Sequence, residues 1–306
     1  MRGVTKSPEV AHALLTGQAV VALESTILCH GFPPPERRPL AQALEAEVRA
    51  AGAVPATIAV VDGEVCVGLT EAQLERLLTA EDVAKCSARD VGVIAAQGRM
   101  GATTVAATCM IAASAGVEVF ATGGIGGVHR GGELSLDVSA DLAALRQFQV
   151  LVVSAGAKSL LDLPRTLEQL ETHSVPVVGY GTDAFPSFHS VDSGLSVPHR
   201  LDDPAHVARA FAAQAAVGLS GGMLLCNPPP ANVALPLEQV QKWLALAHDK
   251  AAAQGVAGAA VTPFVLSELA VLSEGQTVRT NRALALSNAS VAAAVAVALA
   301  ALRAQP

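Results

Sequence analysis

The sequence predicts an α/β fold: a mostly parallel, mixed sheet covered by helices on both faces. Three observations carry this. Short apolar, β-branched runs alternate with longer helical patterns, the order that builds a parallel sheet through crossover helices. Two of the runs are separated only by Asp62-Gly63-Glu64, the spacing of a hairpin, which adds an antiparallel pair. Hydrophobic residues make up 51% of the 306 and charged residues 15%, so the chain has the apolar mass for a large core and too little charge for disorder.

The strand runs, in order, are 19–23, 57–61, 65–69, 117–122, 149–154, 175–180 and 222–226. Helical patterns fill the intervals at 36–51, 102–115, 140–147, 159–172 and 204–217, with Ser139 a plausible N-cap for 140–147. The last third reads as helices at 237–254, 263–273 and 280–303. Aromatic residues are only 3%, so Ala, Val, Leu and Gly carry the packing, and such short side chains favour close approach of layers. There is no internal repeat, low-complexity tract or clear linker. Asn227-Pro228-Pro229-Pro230 is either a boundary or the kind of strand-end loop where α/β proteins bind ligands.

A net charge of −7 argues against non-specific nucleic-acid binding, which needs a basic face, but a few local cations are enough to hold one phosphate. The five cysteines (29, 66, 86, 109 and 226) are odd in number and form no CxxC pair, the usage of reduced, mostly buried thiols in a cytoplasmic protein. Arg2 and Lys6 precede an apolar stretch in the manner of a signal peptide, but His12, Thr16, Gly17 and Gln18 interrupt it. The alanine-rich run 289–302 is short for a membrane span and reads as a buried or subunit-facing helix.

Four segments carry candidate chemistry. Thr122-Gly123-Gly124-Ile125-Gly126-Gly127-Val128-His129-Arg130 follows a strand; its glycines either let backbone N–H groups approach an anion or serve a tight loop alone. It fits neither GxGxxG nor Walker A. Lys158 follows the strand 149–154 and is expected at a helix start, where the macrodipole favours the neutral, nucleophilic amine; the alternative is a solvated lysine at a turn. Glu24 directly follows an apolar strand, so it is either a general acid raised by burial or a capping carboxylate. In Asp137-Val138-Ser139-Ala140-Asp141, the two acids and the serine either hold a hard cation through oxygen or serve capping, which accounts for Ser139 and Asp141 but leaves Asp137 unexplained. Lys85 and Arg89 are either phosphate ligands or surface pairs, and His30 reads as a loop histidine.

These segments, in this order, resemble the pseudouridine-5′-phosphate glycosidase family, which includes the indigoidine synthase A-like proteins. The likeness runs through Ala22-Leu23-Glu24-Ser25-Thr26-Ile27, Lys85-Cys86-Ser87-Ala88-Arg89-Asp90, Gly101-Ala102-Thr103-Thr104-Val105, the glycine-rich stretch, Asp137-Val138-Ser139-Ala140-Asp141, Ala155-Gly156-Ala157-Lys158-Ser159 and Gly179-Tyr180-Gly181-Thr182-Asp183, and spans nearly the whole chain. Arg37, Cys86, Ala88 and residues 276–280 depart from the family pattern.

The resemblance implies an α/β/α sandwich, a single glycosidase domain over 1–306 without a fused kinase, a homotrimer and one Mn²⁺ per subunit. It implies that Lys158 forms an adduct with the sugar C1′, that Glu24 protonates the ring oxygen and that Asp137 holds the metal. Lys85, His129 and Ser139 match phosphate-pocket positions; Val105, Thr122, Ala140, Asp141 and Asn281 match other substrate contacts. The implied reaction is reversible cleavage of pseudouridine 5′-phosphate to uracil and ribose 5-phosphate, with neither nucleic acid nor membrane as partner. A different Schiff-base lyase and a non-catalytic sugar-phosphate-binding protein are the rival readings.

Overall fold

The computed structural model describes residues 3–256 and 261–304; Arg2 lies outside them. Strands without charged residues are stable only when both faces are covered, and the central strands here are buried throughout. The strands are β1 (Thr5–Lys6), β2 (Val20–Leu23), β3 (Val54–Val61), β4 (Glu64–Val67), β5 (Ala84–Cys86), β6 (Gly101–Thr103), β7 (Val119–Ala121), β8 (Leu151–Ser154), β9 (Val177–Tyr180), β10 (His199–Leu201) and β11 (Met223–Cys226). Their order is β1-β4-β3-β2-β7-β8-β11-β9-β10, with β6 beside the second half of β3 and β5 beside β6. Among the described residues, β3 pairs antiparallel with β4 and β6, and the other named pairs are parallel. The predicted hairpin is β3–β4. Asp62 and Gly63 both have positive φ at its turn, the conformation that suits the twist of a two-residue hairpin.

The helices are α1 (Pro8–Leu15), α2 (Thr26–His30), α3 (Pro34–Ala50), α4 (Glu71–Thr79), α5 (Val91–Ala96), α6 (Val105–Ala115), α7 (Gly132–Ser135), α8 (Ala140–Gln147), α9 (Leu163–Thr172), α10 (Pro204–Ala216), α11 (Leu237–Ala253), α12 (Val261–Leu272) and α13 (Gln276–Arg303). Alternation along the strands splits the interior into two cores. Val20, Ala22, Phe120, Val152 and Leu224 face one helical layer that includes α1, α6, α8 and α11. Val21, Leu23, Ala121, Val153 and Leu225 face the other, built from α3, α10 and α13. The α/β/α sandwich predicted from the chain is thus the observed architecture.

The α13 helix is longer than the predicted 280–303 and is long and apolar enough to cross a membrane. In the fold it is a core helix: Leu284, Ala285, Asn288, Ala289 and Ala292 are buried, and it packs against α3, α10, β2, β7 and β8. Its alanines let the axis approach the sheet closely.

Two predicted helix starts are displaced. The helix expected from 102 begins at Val105, because Ala102 pairs with Ala59 in β6 and Thr104 caps the helix through the Ala107 N–H. The helix expected from 159 begins at Leu163, where Asp162 accepts from Arg165 N at 3.1 Å and Pro164 occupies the first turn. Lys158 therefore lies in a turn, five residues before the helix, and the macrodipole argument does not apply to it.

The sheet positions the site. From β2 the chain moves to β3 in one direction, and from β7 it moves to β8 in the other. The strand order reverses between β2 and β7, and parallel sheets leave a ligand crevice outside the carboxyl ends of the strands at such a point.

Candidate active site

Glu24 leaves β2 and Thr122 leaves β7 at that reversal. Thr122 Oγ1 donates a short hydrogen bond to Glu24 Oε1, and Ile27 N donates to Oε2 at 3.2 Å. Glu24 is 6% exposed. Burial raises its pKa above the ordinary carboxylate value, against the lowering effects of Lys158 and the Thr122 bond, while Asp141 reinforces the rise. A small recess lined by Leu23, Glu24, Ile27, Thr122, Gly123 and Ala285 opens here. A larger groove of about 490 Å³ lies at the opposite ends of the strands, between 14–20 and 116–119, away from this chemistry.

Lys158 reaches the same place from the turn after β8. Its backbone N–H donates to Ile125 O at 3.1 Å, and its Nζ donates to Gly124 O at 2.8 Å. The side chain is half-buried and close enough to bias both Glu24 and Lys85 electrostatically. Lys85, on β5, is lowered below its usual value by desolvation and by Lys158, against the pull of Asp141 and Glu24. His30 ends α2 and does not lie in a loop; desolvation and the neighbouring Lys85 and Arg37 lower its pKa and favour the neutral ring beside those cations. Arg89 stays at the surface, 3.5 Å from Asp90, where it forms the exposed pair of the bland alternative.

The glycine-rich loop works through close packing. A Cβ on Gly126 would lie 2.2 Å from Ser139 Oγ, on Gly127 2.4 Å from Thr166 Oγ1, and on Gly124 2.5 Å from the Phe188 ring. Several N–H groups are committed to protein acceptors: Ile125 to Gly156 O, Gly126 to Asp141 Oδ2, Val128 to Thr166 Oγ1 and His129 to Asp137 O. Cationic side chains rather than a cradle of these amides are the anion-binding groups on offer.

Asp141 is a pin. Its Oδ1 accepts from Ala106 N at 2.9 Å and its Oδ2 from Gly126 N at 2.8 Å, joining the start of α6, next to the buried Val105, to the glycine loop. Ser139 caps α8 through Asp141 N at 3.2 Å, with Ala140 exposed beside it. Asp137 is exposed, and His129 Nδ1 lies 4.0 Å from its Oδ2. Among the described residues, no group of three His, Cys, Asp or Glu converges. Asp137 thus offers a cation one exposed carboxylate, with no cage of protein ligands around it among the described residues.

Asn281 Oδ1 is buried without a hydrogen-bond partner among the described residues and faces Gly123. One turn pair along α13, Asn288 is fully buried and clamps the strand ends: its Nδ2 donates to Thr122 O at 2.8 Å and to Gly123 O at 3.3 Å, and its Oδ1 accepts from Asn227 at 2.9 Å. Asn227-Pro228-Pro229-Pro230 is therefore a strand-end loop tied to the site. In the sequence Asn288, with Asn281, is a weak match to the family pattern.

Three comparisons bear on this geometry. Residues 9–298 match the family described as Indigoidine synthase A like protein. The pseudouridine-5′-phosphate glycosidase of Herpetosiphon aurantiacus is 57% identical over 293 residues, covering 96% of this chain and 97% of that protein. That of Jannaschia sp. is 53% identical over 296 residues, covering 97% and 98%. Among solved structures, the prealnumycin C-glycosynthase AlnA in complex with ribulose 5-phosphate superposes with a TM-score of 0.93 at 42% identity, covering 100% of both chains. An indigoidine synthase A-like protein from Thermotoga maritima gives 0.89 at 32% identity over 97% of each.

Proposed function

This chain belongs to the indigoidine synthase A-like family, and we infer that it is a pseudouridine-5′-phosphate glycosidase, an enzyme that cleaves the C–C bond between uracil and ribose 5-phosphate. The observation that carries the reading is the buried acid Glu24 beside the amine Lys158 at the strand-order reversal, with cations at its rim.

The leaving atom is C5 of uracil, which cannot be made a good leaving group by protonating an oxygen as in ordinary glycosides. A lysine offers another path. Glu24 gives its proton to the ribose ring oxygen as the Lys158 nitrogen bonds to C1′ and the ring opens. The adduct nitrogen then returns a proton to the Glu24 carboxylate, and its freed lone pair closes C1′=N as the C1′–C5 bond breaks, the bond's electron pair taking up at C5 the proton that Glu24 delivers. Water adds to the imine and releases ribose 5-phosphate and the free amine. The burial that raises Glu24 keeps the proton where a general acid needs it. Lys85, His129 and Ser139 bind the phosphate, and that remote anchor holds C1′ in line. Val105, Thr122, Ala140, Asp141 and Asn281 shape the rest of the substrate site.

In this proposal Asp137 would hold a Mn²⁺ ion, which would supply positive charge beside the substrate phosphate. Chelation with EDTA is expected to lower activity and Mn²⁺ to restore it; full activity in metal-free protein would remove Asp137 from this role. The five buried free thiols support a cytoplasmic enzyme. The exposed Leu134, Leu136 and Val138 support burial between subunits in a homotrimer.

The direct test is the loss of pseudouridine 5′-phosphate absorbance with uracil released in equal amount. Release of uracil is expected from this substrate. Turnover of other sugar phosphates without uracil release would favour a different Schiff-base lyase, and tight binding without turnover would favour a binding protein.

A further inference from the structure

The Lys158 turn is held from two sides by one dipeptide that neither the motifs nor the chemistry above assigns. Phe188 has φ +57°, a left-handed conformation that costs a bulky residue free energy, yet it is buried at 3% exposure. It is held there by its N–H to Ala155 O at 3.0 Å and by the tight turn in which Ser187 N donates to Ser190 O at 3.0 Å. Its ring lies directly on Gly124, leaving no room for a Cβ, and Gly124 O is the acceptor for Lys158 Nζ. The next residue, His189, is 1% exposed, and its Nδ1 is 3.2 Å from Oγ of Ser159, the neighbour of Lys158. The Phe188 and His189 rings meet edge to face at 4.7 Å, so the two supports brace each other.

We propose that Phe188 and His189 are positioning residues for the nucleophile: Phe188 fixes the carbonyl that receives the Lys158 amine, and His189 fixes the turn that carries it through Ser159. This rests on the covalent reading of Lys158. The choice of residues supports it. A purely structural plug at this depth needs no strained backbone and no imidazole, and such departures from local consistency gather at functional sites. Burial also pulls the His189 pKa down to about 3, so the ring stays neutral and its bond to Ser159 is insensitive to pH in the working range.

The test uses Ser159→Ala, His189→Leu, His189→Asn and the Ser159→Ala/His189→Leu double variant, each beside Lys158→Ala. For each, kcat, KM, and the rate at which borohydride traps ribose 5-phosphate on Lys158 are measured in folded protein. Ser159→Ala and His189→Leu should each lower kcat and the trapping rate by about 10- to 100-fold, the cost of a misplaced reacting group. KM should change little, and the double variant should be no worse than either single. His189→Asn, whose amide replaces Nδ1, should recover most of the loss. Should His189→Leu fail to fold, Ser159→Ala still decides. Wild-type kcat and trapping in Ser159→Ala, additive losses in the double variant, or no recovery in His189→Asn would overturn the proposal. If Lys158→Ala is inactive while Ser159→Ala is normal, only the positioning role falls; if Lys158→Ala is active, the covalent reading falls with it.

Discussion

Lys158→Ala is expected to abolish turnover, by on the order of 10⁴-fold or more, the scale of removing a covalent nucleophile, in a chain that remains folded. The side chain is half-buried and its amine donates to one carbonyl, Gly124 O. Truncation leaves that acceptor short of a partner, at a cost of about 1–3 kcal/mol if water cannot replace it. Such a loss is small beside the two cores that flank the sheet. The electrostatic consequence is separable from the chemical one. Lys158 holds the Glu24 pKa down and pushes the Lys85 pKa down, so its removal lets both rise. Lys158→Arg keeps a cation there but cannot form an imine. An inactive Arg variant therefore identifies the lost function as nucleophilic and not electrostatic. Thermal melts establish folding, single-turnover uracil release gives the rate, and intact mass after borohydride with ribose 5-phosphate shows the adduct. A folded Lys158→Ala protein with near-normal uracil release would rule out covalent catalysis by this residue.

What the sequence revealed and what it hid divide along physical lines. The central strands were legible because a strand buried on both faces is a continuous apolar run, as Val150 to Val153 shows. The three-residue strands β5, β6 and β10 were missed, since so few residues show no periodicity and their pairing comes from the neighbours they meet. Glu24 was singled out by its place directly after an apolar strand, whereas the cap signals left Asp137 unexplained and its metal role came only from the resemblance. The basis given for Lys158 was wrong even though the residue was singled out: Pro164 and the Asp162 cap define a helix start that the apolar pattern of 159–172 had obscured. Phe188 and His189 act through long-range packing, so nothing local marked them, and Asn288 was marked only by a weak match to the family pattern. Asn288 reaches Thr122 across 166 residues of chain, and His189 reaches Ser159 across 30.

Glu24→Gln should fold and lose about 10²- to 10⁴-fold in kcat/KM, the usual contribution of a general acid. The amide fits the hydrogen bonds already in place. With Oε1 toward Ile27 N and Nε2 toward Thr122 Oγ1, the hydroxyl turns from donor to acceptor and both contacts survive. The variant lacks only the proton to give. In the wild type, activity requires the protonated form, and burial has raised the pKa, so the rate should fall as pH rises through that raised value. Glu24→Gln should show no such alkaline limb. Stability moves in the same sense. Between the ordinary value of 4.5 and the raised folded value, the unfolded chain has lost its Glu24 proton while the folded chain keeps it. The unfolded state binds fewer protons, so the stability Glu24 contributes is full below pH 4.5 and is lost as pH rises through the folded value. Urea melts at pH 4 and pH 8 should therefore show Glu24→Gln gaining on the wild type at the higher pH. A variant that keeps wild-type kcat/KM with an unchanged alkaline limb would assign the acid to another group. If it loses activity but keeps the wild-type pH dependence of stability, burial is not what holds the proton on Glu24.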